Sequence, residues 1–159
     1  MIVKVELTAE QFSLARAEGR ARQQKAMTES HVSHGVSHHP LRQNIVGAMG
    51  EIAFSEWSGI AWTAAKGGII DTRPDVGQIE VRTRRHESDR DLFVKPKKVN
   101  TQKPSQIYVL AWATENCRTV SLVGWTTLGD IMENGYDRTD TVGYRWRDLR
   151  PMSELKADQ

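Results

Sequence analysis

Residues 42–57 constrain the fold more than any other stretch of this chain. Ile45, Met49, Ile52, Ala53 and Trp57 recur there at spacings of 3 and 4, and Ser58-Gly59 closes the run. That pattern predicts a helix apolar enough to be buried. The strongest strand signals follow downstream, at residues 107–113 and 119–125, joined by the polar loop 114–118. Weaker strand candidates lie at 60–63, 68–72 and 78–84, with a tight turn at Pro74-Asp75-Val76-Gly77. Upstream, Ile2, Val3, Val5 and Leu7 alternate with Lys4 and Glu6 as a short half-buried strand. Thr8 and Gln11 have capping-box spacing and open a helix running to about Met27. Its apolar stripe (Phe12, Leu14, Ala15, Ala21) is thin and Gly19 interrupts it, so it reads as a surface helix. Residues 28–41 form a loop ending at Pro40, Thr127 with Asp130 caps a short helix ending at Asn134-Gly135, and a last strand at 144–147 leads to a turn at Arg150-Pro151. The order predicts the α/β (α+β) class, a mixed β-sheet flanked by helices.

A length of 159 residues fits a single domain. It divides into a strand, helix and His-rich loop (1–41) and a core (42–151). One cysteine, Cys117, excludes an intramolecular disulfide framework and leaves almost no basis for a cysteine-built zinc site. The longest fully apolar run, residues 109–113, is far short of the roughly 20 needed to span a bilayer. Charges inside the apolar N-terminal stretch do not fit a signal peptide. The expectation is a soluble, cytoplasmic protein. Net charge is only +2, but residues 82–103 hold eight basic and three acidic side chains, a local +5 that leaves −3 on the remainder. Such asymmetry is the footprint expected for a phosphate backbone, against the alternative of a solvated loop.

Chemistry concentrates at Asp75 and Glu80-Val81-Arg82. In a strand, Ile79 and Val81 face one way while Glu80 and Arg82 face the other. A carboxylate at the preceding turn and another five residues on can converge on one hard cation, and Mg2+ uses one or two carboxylates plus phosphate and water. Arg82 would then face the same phosphate. An exposed strand face carrying an ordinary Glu–Arg pair is the plainer alternative.

The pattern resembles the PD-(D/E)XK, restriction-endonuclease-like nuclease superfamily, here as Pro74-Asp75 and Glu80-Val81-Arg82. The resemblance extends back to Gly47-Ala-Met-Gly50-Glu51, like the helix that opens small phage-type members, and forward to Tyr108-Val-Leu, Gly124-Trp125 and Asp148-Leu149-Arg-Pro. It implies a four-stranded mixed core, with Glu51 reaching in from the first core helix. It also implies Glu51, Asp75 and Glu80 as Mg2+ (or Mn2+) ligands for hydrolysis of DNA phosphodiesters. Arg84, Arg85, Lys95, Lys97 and Lys98 would track the DNA backbone. By analogy, cutting both strands calls for a homodimer, in a bacterial or phage-infected cytoplasm. An acid among the apolar flanks Met49, Ile52, Ala53 and Phe54 needs a partner, which a metal would supply.

The family's lysine is Arg82 here. Lysine can lose its proton and activate water; arginine stays charged. Arginine can still hold hydroxide and neutralise phosphate, and Lys95 or Lys97 can stand in for the lysine. The alternatives are therefore a catalytically weakened relative that binds DNA or a protein partner, and a small interaction protein in which Glu51, Asp75 and Glu80 lie far apart. The discriminating geometry is whether the three carboxylates lie within roughly 4–8 Å of a common point. His31, His34, His38 and His39 read as a loop that closes over nucleic acid, with a Zn2+ or Ni2+ site as the lesser alternative. Trp57, Trp112 and Trp125 read as core. Trp146 reads as a strand-edge aromatic rather than a base-stacking one, and Cys117 as inert.

Overall fold

The computed structural model describes residues 1–29, 40–64, 74–85 and 90–157. Strand β1 (Val3–Glu6) runs into helix α1 (Ala9–Glu29) through the capping box read from the sequence. Gln11 N–H donates to Thr8 Oγ1 at 3.1 Å, and Thr8 N–H donates to the Gln11 side chain at 2.8 Å. Helix α2 (Pro40–Ser58) takes Pro at its first position, where a missing N–H costs nothing. Then come β2 (Ile79–Arg84), β3 (Leu92–Val94), α3 (Pro96–Thr101), β4 (Ile107–Trp112), β5 (Thr119–Thr127), α4 (Leu128–Asn134), β6 (Tyr136–Asp137), β7 (Val142–Tyr144), a 3-10 turn (Trp146–Asp148) and α5 (Met152–Ala157). The class is α+β.

The main sheet has the order β1-β5-β4-β2, with β2 parallel to β4 and the other pairs antiparallel. The apolar run of β4 is apolar because both its faces are covered. Val109 and Ala111 join Ile45, Met49, Phe54, Val81 and Leu122 in the core under α1 and α2. Tyr108, Leu110 and Trp112 join Leu92, Val94, Leu128, Ile131 and Tyr144 in a second core on the other face. That second core is closed by α4 and a small sheet of order β3-β7-β6. A bulge opposite residues 110–111 resets β5, so that Leu122 and Trp125 reach the same core although three residues apart.

Contact between α1, α2 and β2 is set by glycine. A side chain at Gly19 would overlap Ile45 of α2, and one at Gly50 would overlap Thr83 of β2. Gly19 is thus the contact point of α1, not its weak point. The buried stripe of α1 is Ala15, Glu18 and Gly19, whereas Leu14 is 47% exposed. The thin apolar stripe does belong to a surface helix, and α1 lies on α2 through small and charged residues.

Residues 60–63 are not a strand. Ser55 Oγ donates to the Ile60 carbonyl at 2.6 Å and Ser58 Oγ accepts the Ile60 N–H at 3.2 Å, pinning this segment to the end of α2. The last strand ends earlier than its pattern suggested, at Tyr144, because Trp146 N–H donates to Asp91 and the chain turns there. Elements β3, α3, β6 and α5 had no separate sequence signal. The candidate strand 68–72 and the histidine loop lie outside the described residues. No helix among the described residues is long and apolar enough to cross a membrane.

Candidate functional site

Asp75 stands at a tight reversal in which Val76 and Ile79 exchange backbone hydrogen bonds at 3.0 and 2.9 Å. Its Oδ2 accepts the Val81 N–H at 2.9 Å, folding the carboxylate back against the start of β2. Beyond the turn, side chains alternate as the period-2 reading requires: Ile79 and Val81 enter the α2-side core, and Glu80 and Arg82 face the other way.

Glu80 is 1% exposed, so its charge needs compensation. Its Oε1 accepts from Lys98 Nζ at 2.8 Å and Gln102 Nε2 at 2.7 Å, and its Oε2 from Arg82 Nη2 at 3.0 Å. Lys98 and Gln102 come from α3 and its C-cap, so this short helix exists in part to complete the carboxylate's shell. Tyr108, the register partner of Glu80 on β4, donates its hydroxyl to Gln102. Burial, and then the nearby Glu80 charge, push that phenol up to about 12. Arg82 lies over the Tyr108 ring, its guanidinium carbon 5.9 Å from the centroid, and its buried Nε has no hydrogen-bond partner among the described residues.

Glu51 occupies the helix over the opposite face of β2 and is 5% exposed. Arg22 of α1 grips both its oxygens, at 2.8 and 2.7 Å, and the Trp62 indole donates to Oε2 at 3.0 Å. Arg22 also pairs with Glu18 one turn earlier, at 3.0 Å. Burial opposes the guanidinium charge, but the bonds to Glu51 and Glu18 outweigh it and hold Arg22 above its ordinary range. The acid in the apolar helix stripe does have a partner, and it is an arginine from the N-terminal helix.

Asp75 sits electrostatically between the two. Burial first, then the Glu51 charge, push its carboxyl up to about 7; Arg82 pulls the other way and Glu80 adds to the rise. The three predicted carboxylates are therefore charge neighbours around the start of β2. Among the described residues, no three His, Cys, Asp or Glu side chains are grouped tightly enough to hold a metal ion between them.

The basic segment is spread over several tasks. Arg82 and Lys98 serve Glu80. Arg85 pairs at 3.2 Å with Glu115 of the β4–β5 loop, which Arg42 also approaches at 3.4 Å. Arg84 lies over the Phe93 ring. Lys95 is exposed at the N-cap of α3; Lys97 follows in that helix, its side chain outside those described. Trp57, Trp112 and Trp125 pack in or against the cores, and Trp146 meets Trp112 edge-on at 5.2 Å from the 3-10 turn. Cys117 is exposed in its loop.

Arg22, Glu18, Trp62, Gln102 and Tyr108 were absent from the sequence reading of the site. For Arg22 a faint signal existed: Glu18 and Arg22 at i, i+4 flanking Gly19, a polar stripe on a helix that has little else to bury. Comparisons of the chain with models of known protein families, with curated proteins and with solved structures find no match.

Proposed function

We propose that this protein is a Mg2+- or Mn2+-dependent nuclease of the PD-(D/E)XK type acting on DNA. The observation that carries the reading is the Asp75 carboxyl, half-buried near the Glu51 and Glu80 charges and raised to about 7. A half-buried acid crowded by other acids is stabilised by a divalent cation, and an all-oxygen donor set suits a hard one. Two protein carboxylates, Asp75 and Glu80, suffice for Mg2+, which completes its shell with phosphate and water. A cation held there supplies Lewis-acid polarisation of the phosphoryl oxygen and an activated water.

The chain's own residues would do the remainder. Arg82, permanently charged, faces the phosphate and offsets its developing negative charge. Lys98 and the Tyr108–Gln102 pair fix the Glu80 orientation. Arg22 fixes Glu51, whose charge acts on Asp75 from behind. Lys95, exposed at the N-cap of α3, extends positive charge toward the DNA. A homodimer and a cytoplasmic setting belong to the same proposal.

One observation favours a second reading, a DNA-binding relative with weakened catalysis. Both oxygens of Glu80 already accept hydrogen bonds from Lys98, Gln102 and Arg82, so a cation has to share or displace those donors. A cleavage assay separates the two. Wild type should nick plasmid DNA with Mg2+ or Mn2+, Asp75→Asn should abolish nicking, and Arg82→Lys should keep or raise it. A wild type inert across a full metal screen, joined by an active Arg82→Lys, makes the protein a binder. If both are inert while folded, the nuclease reading fails.

A further inference from the structure

The first strand leaves half of its backbone unpaired. β1 ends the sheet order β1-β5-β4-β2, so it has a strand on one side only. Leu7 N–H donates to the Arg118 carbonyl at 3.0 Å, and the register Val5↔Val120, Val3↔Leu122 continues that pairing. Hydrogen-bonded and non-hydrogen-bonded pairs alternate along an antiparallel ladder. The N–H and C=O of Val3, Val5 and Leu7 therefore serve β5, and those of Lys4 and Glu6 point away from it. Among the described residues, no backbone hydrogen bond reaches that outer edge.

An edge of this kind takes another extended segment unless something blunts it, and lysine is a common blunting residue. Here the charges are arranged so that a second copy fits. Antiparallel pairing through the outward groups joins even-numbered residues to even-numbered ones. A register centred on Lys4 sets Lys4 against itself, and one centred on Glu6 sets Glu6 against itself; both place like charges opposite each other. The register centred on Val5 sets Lys4 against the second copy's Glu6, twice. On the other strand face it brings Val5 against its own copy. Val3 and Val5 are only half-buried where they pack on the α2-side core, which is the apolar surface a second copy covers. Glu6 already accepts from Thr119 Oγ1 at 2.6 Å and lies 3.7 Å from Arg118, yet its side chain is 61% exposed. The backbone edge thus makes the contact, and the charges choose its register.

We propose that β1 is a homodimer interface, in which two copies pair antiparallel about Val5 and join their four-stranded sheets into one continuous sheet. This names the surface for the homodimer included under Proposed function, but the edge argument does not depend on the nuclease reading. The test is sedimentation velocity on the full chain over a concentration series in EDTA. Wild type should reach twice the 18.0 kDa chain mass. Lys4→Pro removes an outward N–H and no bond to β5, so it should stay monomeric with its thermal melt intact. Lys4→Glu should weaken association about tenfold, because it sets Glu against Glu6 at both pairs. Adding Glu6→Lys rebuilds both pairs with their signs exchanged and should return the affinity to within about threefold of wild type. Side chains that act only within their own copy would give no such rescue.

A wild type that is monomeric up to its solubility limit overturns the proposal and leaves the edge to a strand of another protein. So does a dimer that survives Lys4→Pro, or one that Lys4→Glu weakens and Glu6→Lys fails to restore. If Lys4→Pro does not fold, the charge-exchange series decides alone. The plasmid assay above keeps the two readings apart. An inert wild type that dimerises through Lys4 and Glu6 keeps the interface and loses the enzyme; a monomeric wild type that nicks DNA does the reverse.

Discussion

Glu51 and Glu80 are buried carboxylates on either side of the same strand, and they are neutralised in different ways. Glu51 depends on one arginine, brought from α1 across 29 residues of sequence, with an indole N–H in support. Glu80 shares its charge among a lysine, an amide and an arginine drawn from β2 and α3. Asp75, at the turn between them, takes one backbone N–H and is pushed up by both neighbours. Concentrated compensation is vulnerable to one substitution; distributed compensation is not. The carboxylate left with least compensation is the one most ready to take a cation.

Breaking the concentrated side should have the largest effect. Arg22→Ala leaves Glu51 in the core without its arginine partner and should lower unfolding free energy by about 3–5 kcal/mol, read by urea denaturation. A loss under about 1 kcal/mol would mean that Glu51 does not depend on α1.

The intermediate case is Asp75 in the metal-free protein. Its carboxyl binds a proton more tightly folded than unfolded, so the stabilisation from protonation is complete below the usual carboxylate range and is lost as pH rises through about 7. Thermal melts in EDTA should show Tm falling from pH 5 to pH 8, on top of other titrations, by less in Asp75→Asn than in wild type. At pH 8 that variant should be the more stable protein. Equal pH slopes in the two proteins would remove Asp75 as a charge-crowded group.

The smallest effect belongs to the distributed side. Lys98→Met removes one of three donors while Gln102 and Arg82 stay, so the cost should be about 1–2 kcal/mol, well under that of Arg22→Ala. A cost as large as the Arg22 one would erase the contrast between the two carboxylates.

How far all this could be read from the sequence follows from the same physics. Periodicity found β2, β4, β5, α2 and both caps, because each buries apolar residues at a regular spacing or closes a local hydrogen bond. It also put Glu80 and Arg82 on one face, since alternation along a strand is local. It missed Arg22, because a polar residue buried against another polar residue leaves no apolar signal. It missed α3 because its lysines blended into the basic segment, where Lys98 serves a carboxylate, and β3 because three apolar residues set between charged ones are too short a run to show a period. The run read as one backbone-tracking strip contains ion-pair partners, a ring-stacked arginine and exposed lysines, and only three-dimensional contacts sort them.

The most direct test of the central claim, that Asp75 is the carboxylate open to a divalent cation, is the metal-induced shift in Tm at pH 8. Mg2+ or Mn2+ should raise the Tm of wild type by mass action on the folded state, and Asp75→Asn should abolish the shift while Lys98→Met retains it. A full shift in Asp75→Asn would place the cation elsewhere and contradict the account.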